Sequence, residues 1–491
     1  MPVHEPLRDL GRDAASPQRP GLILAFLCVA GFMTFLDVSI VNVALPTIED
    51  ELGLSQTTLP YVVTAYGMLL GGFLLLTGRL ADAFGRRRML RTGLVLFALA
   101  SLGAGTAQNA ATLIGARAVQ GLGAAFIATA ALSLLTGNFT EGAARNKALG
   151  AWGALSGIAA VAGVTLGGLL TDGPGWRWVF FINVPIGLLG ALVAPLVVAE
   201  SRSPERRESF DVAGAVLLTA GLVLLIFTLG RTVDDSDVPL GLVCGGFALS
   251  ALLLAGFVLT ERRAKAPLLP PGVFGRKSLR AANVVAVLLL GTCVTLFFFA
   301  SLFMQQVLGY SPLRTGLAYV PLAVIVAVGA GVASQLVTKV AAKPLLTAGL
   351  ALTAAGMSLL WRAPSDAAYL TDLLPAFLIS GLGLGLSFVP VQVAAFAGTD
   401  EDESGLSAGL INTAQEVGGA LGLAVAATYA FRRVAELTAW ADGVPARVTS
   451  ARTDVFHDAF LAGACFATAG VVLTLILMPM SKSSASATAS A

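Results

Sequence analysis

Three ionisable residues lie inside long apolar runs of this sequence. Asp37 belongs to FLDVSIVNVALP, Arg117 to IGARAVQGLGAA and Glu416 to INTAQEVGGALG. Such groups can form an ion pair, attract a cation, or take up and release a proton. Desolvation favours the protonated form of a carboxyl group, whereas a nearby arginine favours the ionised form. A carboxyl group that alternates between these two surroundings would load and release protons.

The composition indicates that these three residues lie in a membrane. Of the 491 residues, 56% are hydrophobic and 12% are charged, and the mean hydropathy is +0.82. A soluble domain carries about 25% charged residues, so this chain has too few to cover a surface in water. A charged group at the bilayer centre costs about 2.5–3.5 kcal/mol on insertion scales. The three charged side chains should therefore line water or contact one another.

Apolar segments of about 20 residues, the length that crosses a bilayer core of ~30 Å, recur along the whole chain. The basic residues of the connecting segments favour a cytoplasmic position for both ends, because Lys and Arg are retained on that side. The sequence thus predicts an all-α membrane protein with both termini inside. The fourteen predicted spans are 21–46, 58–79, 89–107, 112–136, 147–170, 178–198, 212–230, 239–260, 281–308, 314–338, 344–361, 369–397, 405–431 and 455–480.

The sequence also contains an internal repeat. Residues 78–94 align with residues 334–350, which places Leu80 on Leu336 and Arg87 on Lys343. Two six-helix halves related as a parallel repeat, with two further helices between them, would explain this spacing. The predicted domains are a cytoplasmic tail at 1–20, an N-terminal half at 21–198, two additional transmembrane helices at 212–260, a basic cytoplasmic linker at 261–280, a C-terminal half at 281–480 and a disordered tail at 481–491.

The segment GRLADAFGRRR, residues 78–88, follows the second predicted span. Gly78 and Gly85 permit close approach and a sharp turn between two helices. Asp82 can accept hydrogen bonds at a neighbouring helix end, and Arg86 and Arg87 hold the segment on the cytoplasmic side. A positive-inside signal alone would explain the arginines but not the acid and the glycines.

This segment resembles the signature loop between the second and third helices of the major facilitator superfamily, a conformational-switch element. LDVSIVNVALP resembles the first-helix motif of the fourteen-span drug:proton antiporter family, with Ser39 where Thr is usual. IGARAVQGLGAA and WRWVFFINVPIG resemble further motifs of that family, so the resemblance covers essentially the whole chain. Two departures stand out: Val164 replaces the proline usual in the fifth-helix motif, and Glu416 replaces a common Gln.

The residues predicted to carry proton coupling and substrate charge are Asp37, Glu416 and Arg117. Asp37 and Arg117 lie roughly 13 Å and 8 Å from the outer ends of their helices at 1.5 Å per residue, so they could pair. A structural ion pair is the alternative for these two residues, and a helix–helix hydrogen bond is the alternative for Glu416. The residues assigned to helix packing or to the cavity are Asn42, Gln120, Gly121, Gly163, Gly167, Asn412 and Gln415.

The leading hypothesis is a secondary transporter of a bacterial cell membrane that exports amphipathic, cationic or aromatic drugs or antibiotics in exchange for protons. Export of one host-made natural product is the alternative, and a receptor or lipid-moving protein is a further one. The sequence lacks a Ser/His/Asp set, a Cys/His cluster and a GxxxxGK[ST] motif, so we predict neither an enzyme nor a metal site. The predicted partners are protons, a small molecule and the bilayer, with no cofactor, no nucleic acid and a monomeric state.

Overall fold

The computed structural model describes most of the chain. The central part of the predicted linker at 261–280, the tail at 481–491 and nearly all of the tail at 1–20 lie outside it. The described residues form helices, and none of them belongs to a β-strand. The described ranges are 20–55, 58–139, 143–201, 212–231, 239–263, 275–337, 339–397, 404–432 and 445–479.

Most helices follow the predicted spans closely, but the last helix begins at Pro445, ahead of the predicted span 455–480. Short π-helical segments extend α10 at Phe303–Val307 and precede α13 at Tyr369–Leu373. The helices are α1 (Pro20–Leu52), α2 (Leu59–Phe84), α3 (Arg86–Gly105), α4 (Ala110–Asn138), α5 (Ala143–Asp172), α6 (Trp178–Phe181), α7 (Asn183–Val197), α8 (Val212–Arg231), α9 (Leu240–Glu261), α10 (Lys277–Leu302), α11 (Pro312–Leu336), α12 (Ala342–Leu360), α13 (Leu374–Phe396), α14 (Ser404–Arg432) and α15 (Pro445–Leu477).

Ten helical segments of the described chain are long and apolar enough to cross a membrane. The other four predicted spans, 58–79, 147–170, 212–230 and 405–431, correspond to α2, α5, α8 and α14, which are 20 to 30 residues long. The sixth predicted span, 178–198, consists of α6 and α7, which follow each other with a break at Ile182. The structure is therefore an all-helical membrane fold.

The first helix is longer than the sequence predicts. The predicted span ends at Pro46, but α1 continues to Leu52 with this proline inside it. Proline has no N–H group to donate to the carbonyl group one turn earlier, which here belongs to Asn42. The Ser301 hydroxyl of α10 donates to that carbonyl oxygen at 2.9 Å, and the Gln305 amide donates to the carbonyl oxygen of Val43 at 3.1 Å. A neighbouring helix thus satisfies the carbonyl group that the proline leaves free.

The packing of the helices repeats along the chain. α1 packs on α5, and α2 and α3 both pack on α4. In the same way α10 packs on α14, and α11 and α12 both pack on α13. Two contacts join the group α1 to α5 to the group α10 to α14: α5 packs on α11, and α14 packs on α2. These two contacts correspond to each other under the repeat. The additional helix α8 packs on α2 and α14, and α9 packs on α8.

Glycines allow the close contact between α5 and α11. A methyl group on Gly168 would lie 2.7 Å from the Cα of Leu313, and one on Gly316 would collide with the carbonyl oxygen of Val164. The Asp172 carboxylate at the end of α5 accepts a hydrogen bond of 2.9 Å from the Leu313 N–H. Val164 stands where the resembled motif has proline, and α5 contains no proline. The helix is therefore continuous and packs through its glycines.

Candidate functional site

Asp37 of α1 and Arg117 of α4 form an ion pair inside the protein. Nη1 of Arg117 donates to Oδ2 of Asp37, and the exposed fractions of the two side chains are 0% for Asp37 and 1% for Arg117. The similar predicted depths of the two residues anticipate this pairing. Two charges that have been removed from water require further hydrogen bonds to offset the cost of desolvation.

Neighbouring polar side chains supply those bonds. The Gln120 amide donates to Oδ1 of Asp37 at 3.0 Å and to the Ser101 hydroxyl at 2.7 Å, and its carbonyl oxygen accepts from Arg117 at 2.9 Å. The Asn183 amide of α7 donates to the same Oδ1 of Asp37 at 2.8 Å. Gln120 was assigned to packing or the cavity, and it lies in the centre of this network.

The guanidinium group of Arg117 is also held by α2. Its Nε donates to the carbonyl oxygen of Val62 at 2.9 Å, and its Cζ lies 4.5 Å from the centre of the Tyr66 ring. A cation over an aromatic face gains about 2 kcal/mol when the contact is desolvated. The ion pair therefore joins α1, α4, α7 and α2 in one buried polar cluster.

Sequence reasoning missed two members of this cluster. Ser101 and Asn183 are fully buried and bond to Gln120 and Asp37, respectively. Asn183 lies in WRWVFFINVPIG, a segment noticed only for its resemblance. An amide in an apolar span needs a hydrogen-bond partner, and that requirement is the signal that could have identified it.

Three glycines position the helices around the ion pair. A methyl group on Gly121 would collide with the carbonyl oxygen of Tyr66, which brings α4 against α2. A methyl group on Gly163 would lie 2.5 Å from the Cβ of Ser39, and one on Gly167 would lie 2.7 Å from the carbonyl oxygen of Ile40. The predicted packing glycines therefore lie at close helix contacts.

Glu416 lies apart from the ion pair, at the contact between α14 and α2. A methyl group on Gly71 would lie 2.5 Å from its Cβ, and one on Gly67 would lie 2.9 Å from its Oε2. In the part of the chain that the structure describes, Glu416 has no hydrogen-bond partner and its side chain is half-buried. The carboxyl group therefore lies at the contact between the helix groups that repeat along the chain.

Three of the four amides assigned to helix packing or the cavity lie outside the network around Gln120, in two different places. The Asn42 amide donates to the carbonyl oxygen of Val38 at 2.8 Å, while its buried Oδ1 has no partner among the described residues. Asn412 and Gln415 belong to α14 and are half-buried, one turn and one residue before Glu416. The structure thus places two of the three amides beside Glu416 and the third beside α10.

The GRLADAFGRRR segment is mostly helical and does not form a loop. α2 continues through Gly78 to Phe84, and the turn consists of Gly85 alone, with φ of 112°. Leu and Ala are strong helix formers, so only the residue with positive φ breaks the helix. The side chain of Asp82 lies outside the described part of the structure.

The arginines after Gly85 contact the segment that follows α7. The N–H of Arg87 donates to Oε1 of Glu200 at 3.0 Å, and the N–H of Arg86 donates to the carbonyl oxygen of Ser201 at 3.1 Å. The Arg87 guanidinium also donates to the carbonyl oxygen of Val198 at 3.1 Å. A carboxylate at a helix N-terminus interacts favourably with the helix dipole, so Glu200 stabilises the start of α3.

The chain is similar to antibiotic resistance and export proteins along most of its length. A family model described as the Major Facilitator Superfamily matches residues 27–423. The puromycin resistance protein pur8 of Streptomyces alboniger is 40% identical, over 82% of this chain and 80% of that protein. The cephamycin export protein CmcT of Amycolatopsis lactamdurans is 38% identical, over 94% of this chain and 93% of that protein.

The fold is similar to that of solved transporter structures. A bacterial homolog of the human lysosomal transporter Spinster, in an inward-facing and unoccupied conformation, matches with a TM-score of 0.67 and 17% identity. The match covers 94% of this chain and 98% of that chain. Because the family match spans most of the sequence and the relatives are transporters and not enzymes, this chain is a multi-pass membrane transporter that belongs to the Major Facilitator Superfamily.

Proposed function

We propose that this transporter exports amphipathic, cationic or aromatic drugs or antibiotics in exchange for protons. The observation that carries the proposal is the position of Glu416. Its carboxyl group lies at the contact between α2 and α14, against Gly67 and Gly71, without a hydrogen-bond partner among the described residues. A carboxylate that no protein group neutralises attracts either a proton or a cation, so the two would compete for this site.

The buried ion pair has a different role in this proposal. Asp37 is neutralised by Arg117 and also accepts hydrogen bonds from Gln120 and Asn183. Protonation of Asp37 would release Arg117 and loosen the contacts among α1, α2 and α4. We assign Glu416 to the exchange of cation and proton, and the Asp37–Arg117 pair to the conformational response.

One pair of consecutive residues links the two sites. The Tyr66 ring contacts the Arg117 guanidinium group, and the next residue, Gly67, contacts the carboxyl group of Glu416. A change of charge at Glu416 would therefore act on the contact between Tyr66 and Arg117 through a single helix, α2. Coupling of this kind needs an element with two arrangements that both sites bias, and α2 is that element in our proposal.

The energy source is the proton gradient, without a cofactor. The membrane potential alone supplies about 2.3 kcal/mol per elementary charge per 100 mV. The buried carboxyl group of Asp37 and the half-buried one of Glu416 are the positions at which an inward-moving proton would bind in this proposal. We further propose that the protein works as a monomer in the bilayer.

The topology belongs to the same proposal. We propose fourteen spans, with α6 and α7 counted as one, and both termini in the cytoplasm. The N-terminal half comprises 21–198, the C-terminal half 281–480, and the helices at 212–260 lie between them in sequence. The packing among helices α1 to α5 is repeated among helices α10 to α14, which supports this division.

A dedicated exporter of one natural product is the second candidate. It is favoured by the names of two relatives, a puromycin resistance protein and a cephamycin export protein. Each name refers to a single antibiotic class. Under this hypothesis the same carboxyl group would recognise one basic group on one compound.

Transport assays in proteoliposomes test the proposal. With an imposed pH gradient, we expect the native protein to move ethidium, a lipophilic cation, against its gradient. Glu416→Gln should abolish this movement, and a protonophore should abolish it in the native protein. If ethidium does not move but puromycin does, the broad substrate range is wrong and the dedicated exporter replaces it. If no compound responds to the pH gradient, proton-coupled export is wrong.

A further inference from the structure

The additional helix α8 is attached to α2 at the level of Glu416. The Thr219 hydroxyl of α8 donates a hydrogen bond of 2.9 Å to the carbonyl oxygen of Gly72. A methyl group on Gly72 would lie 2.9 Å from Cγ2 of Val223 and 3.7 Å from the carbonyl oxygen of Thr219. α8 therefore approaches α2 as closely as a glycine allows, and a directional bond fixes its position there.

The contact of α8 with α14 is of a different kind. Leu218 and Leu222 of α8 form a cluster with Phe257 of α9, and Leu410 and Val417 of α14 pack against this cluster. Leu76 of α2 also packs there. Contacts between apolar side chains are non-directional, so they allow one helix to shift along another at little cost.

Gly71 of α2 and Glu416 of α14 contact each other, and the residue that follows each of them lies against α8. Gly71 contacts Glu416, and the next residue, Gly72, contacts α8. On α14, Val417 follows Glu416 and packs against the α8 cluster. α8 thus runs along the seam between α2 and α14, beside the carboxyl group of Glu416.

We propose that α8 is part of the Glu416 site: it moves with α2 as one body while α14 slides along it, and it shields the seam from lipid. Thr219 is then a positioning residue, which acts on Glu416 through Gly71 and Gly72. The inference rests on the proposed function, since it concerns the site where cation and proton are exchanged. A shield is needed there because a charged group exposed to the bilayer interior is costly.

Crosslinking through one shared position tests the proposal. Leu218→Cys is combined either with Leu76→Cys of α2 or with Leu410→Cys of α14, in a full chain whose native cysteines are replaced by serine. A flexible, reducible thiol crosslinker joins each pair. We expect the Leu218–Leu76 crosslink to leave ethidium export nearly unchanged. The Leu218–Leu410 crosslink should lower it about tenfold or more, and reduction of the linker should restore it.

Two results would overturn the proposal. Loss of export with the Leu218–Leu76 crosslink would mean that α8 does not move with α2, and full export with the Leu218–Leu410 crosslink would mean that α14 does not slide. If the variants export nothing before crosslinking, the proposed function has failed. The rates of crosslinking then test whether α8 moves with α2. Added ethidium should then change the rate for Leu218–Leu410 and leave that for Leu218–Leu76 unchanged, and equal responses contradict the inference.

The hydroxyl of Thr219 is tested separately. Thr219→Val keeps the shape of the side chain but removes the donor, whereas Thr219→Ser keeps the donor. We expect Thr219→Val to lower the maximal export rate without a matching change in ethidium affinity, and Thr219→Ser to restore the rate. Equal behaviour of the two variants would rule out a positioning role for the hydroxyl group.

Discussion

The ring of Tyr66 lies 4.5 Å from the Cζ of Arg117, and Gly67, the next residue of α2, packs against Glu416. Two sites that are far apart in the sequence therefore meet on two consecutive residues. Among the described residues, the Tyr66 hydroxyl makes one long hydrogen bond of 3.4 Å, to the carbonyl oxygen of Thr34. The ring, and not the hydroxyl group, contacts the Arg117 guanidinium group.

This relationship predicts different effects for two substitutions of Tyr66. Tyr66→Phe keeps the aromatic face over Arg117, so ethidium export should remain close to that of the native protein. Tyr66→Leu removes a buried cation–π contact of about 2 kcal/mol, so export and thermal stability in detergent should both fall. Equal losses in the two variants would show that the hydroxyl group matters more than the ring.

Gly71 provides a test of the close contact with Glu416. Gly71→Ala would bring a methyl group to 2.5 Å from the Cβ of Glu416, and overpacking of this kind costs roughly 1–3 kcal/mol. We expect a lower unfolding temperature and slower ethidium export. Gly115→Ala in α4 is the matched control, because a methyl group there meets no atom within 4 Å. Because Ala favours a helix over Gly by about 1 kcal/mol, Gly115→Ala should not lower stability, and a Gly71→Ala variant that is equally stable would contradict the close contact.

Much of the fold could be predicted from the sequence, because lipid imposes a simple rule. Helices must satisfy their own backbone groups in a bilayer, so the apolar segments predict most helices to within a few residues, although α15 begins at Pro445 and not at 455. The extension of α1 has a local cause. α1 passes Pro46 because Ser301 and Gln305 donate to the adjacent carbonyl groups, and these residues lie in a distant helix that the sequence of α1 cannot reveal.

The site could be predicted only in part. Helix depth places Asp37 near Arg117, but it gives no information on which face of a helix a residue occupies. The prediction gave the three charges one role without naming the neighbours of Glu416, which the structure places against Gly67 and Gly71 of α2. Asn183 and Ser101 were missed because their role depends on contacts between helices and not on spacing along one helix.

Glu200 allows a test of the turn at Gly85. Glu200→Gln keeps an acceptor for the Arg87 N–H but removes the charge near Arg87 and Arg88, whose Nε atoms lie 3.7 Å and 3.8 Å from Oε2. A charge at a helix N-terminus contributes about 0.3–1 kcal/mol, so the loss of stability should be small. Glu200→Ala removes the acceptor as well and should cost about 0.5–2 kcal/mol in total. Thermal unfolding in detergent measures both, and an unchanged Glu200→Ala variant would contradict a stabilising role.

The buried ion pair can be tested by a double-mutant cycle. Asp37→Asn leaves the Arg117 charge without its counter-charge, and Arg117→Gln does the same for Asp37. Loss of one partner of a buried pair costs roughly 3–5 kcal/mol, so each single variant should unfold at a much lower temperature than the native protein. In the double variant two amides replace the two charges, and we expect it to be more stable than either single variant.

Transport separates the structural role of this pair from its role in coupling. If the pair responds to the proton, the double variant should regain stability but not ethidium export driven by the pH gradient. If the pair only locks α1 to α4, export should return together with stability, because two amides can also bond across the helices. Matched measurements of unfolding temperature and export rate on the same four proteins decide between the two outcomes. Glu416→Gln serves as the comparison. The Glu416 carboxyl group has no hydrogen-bond partner among the described residues, so its loss should stop export but change stability far less than Asp37→Asn does.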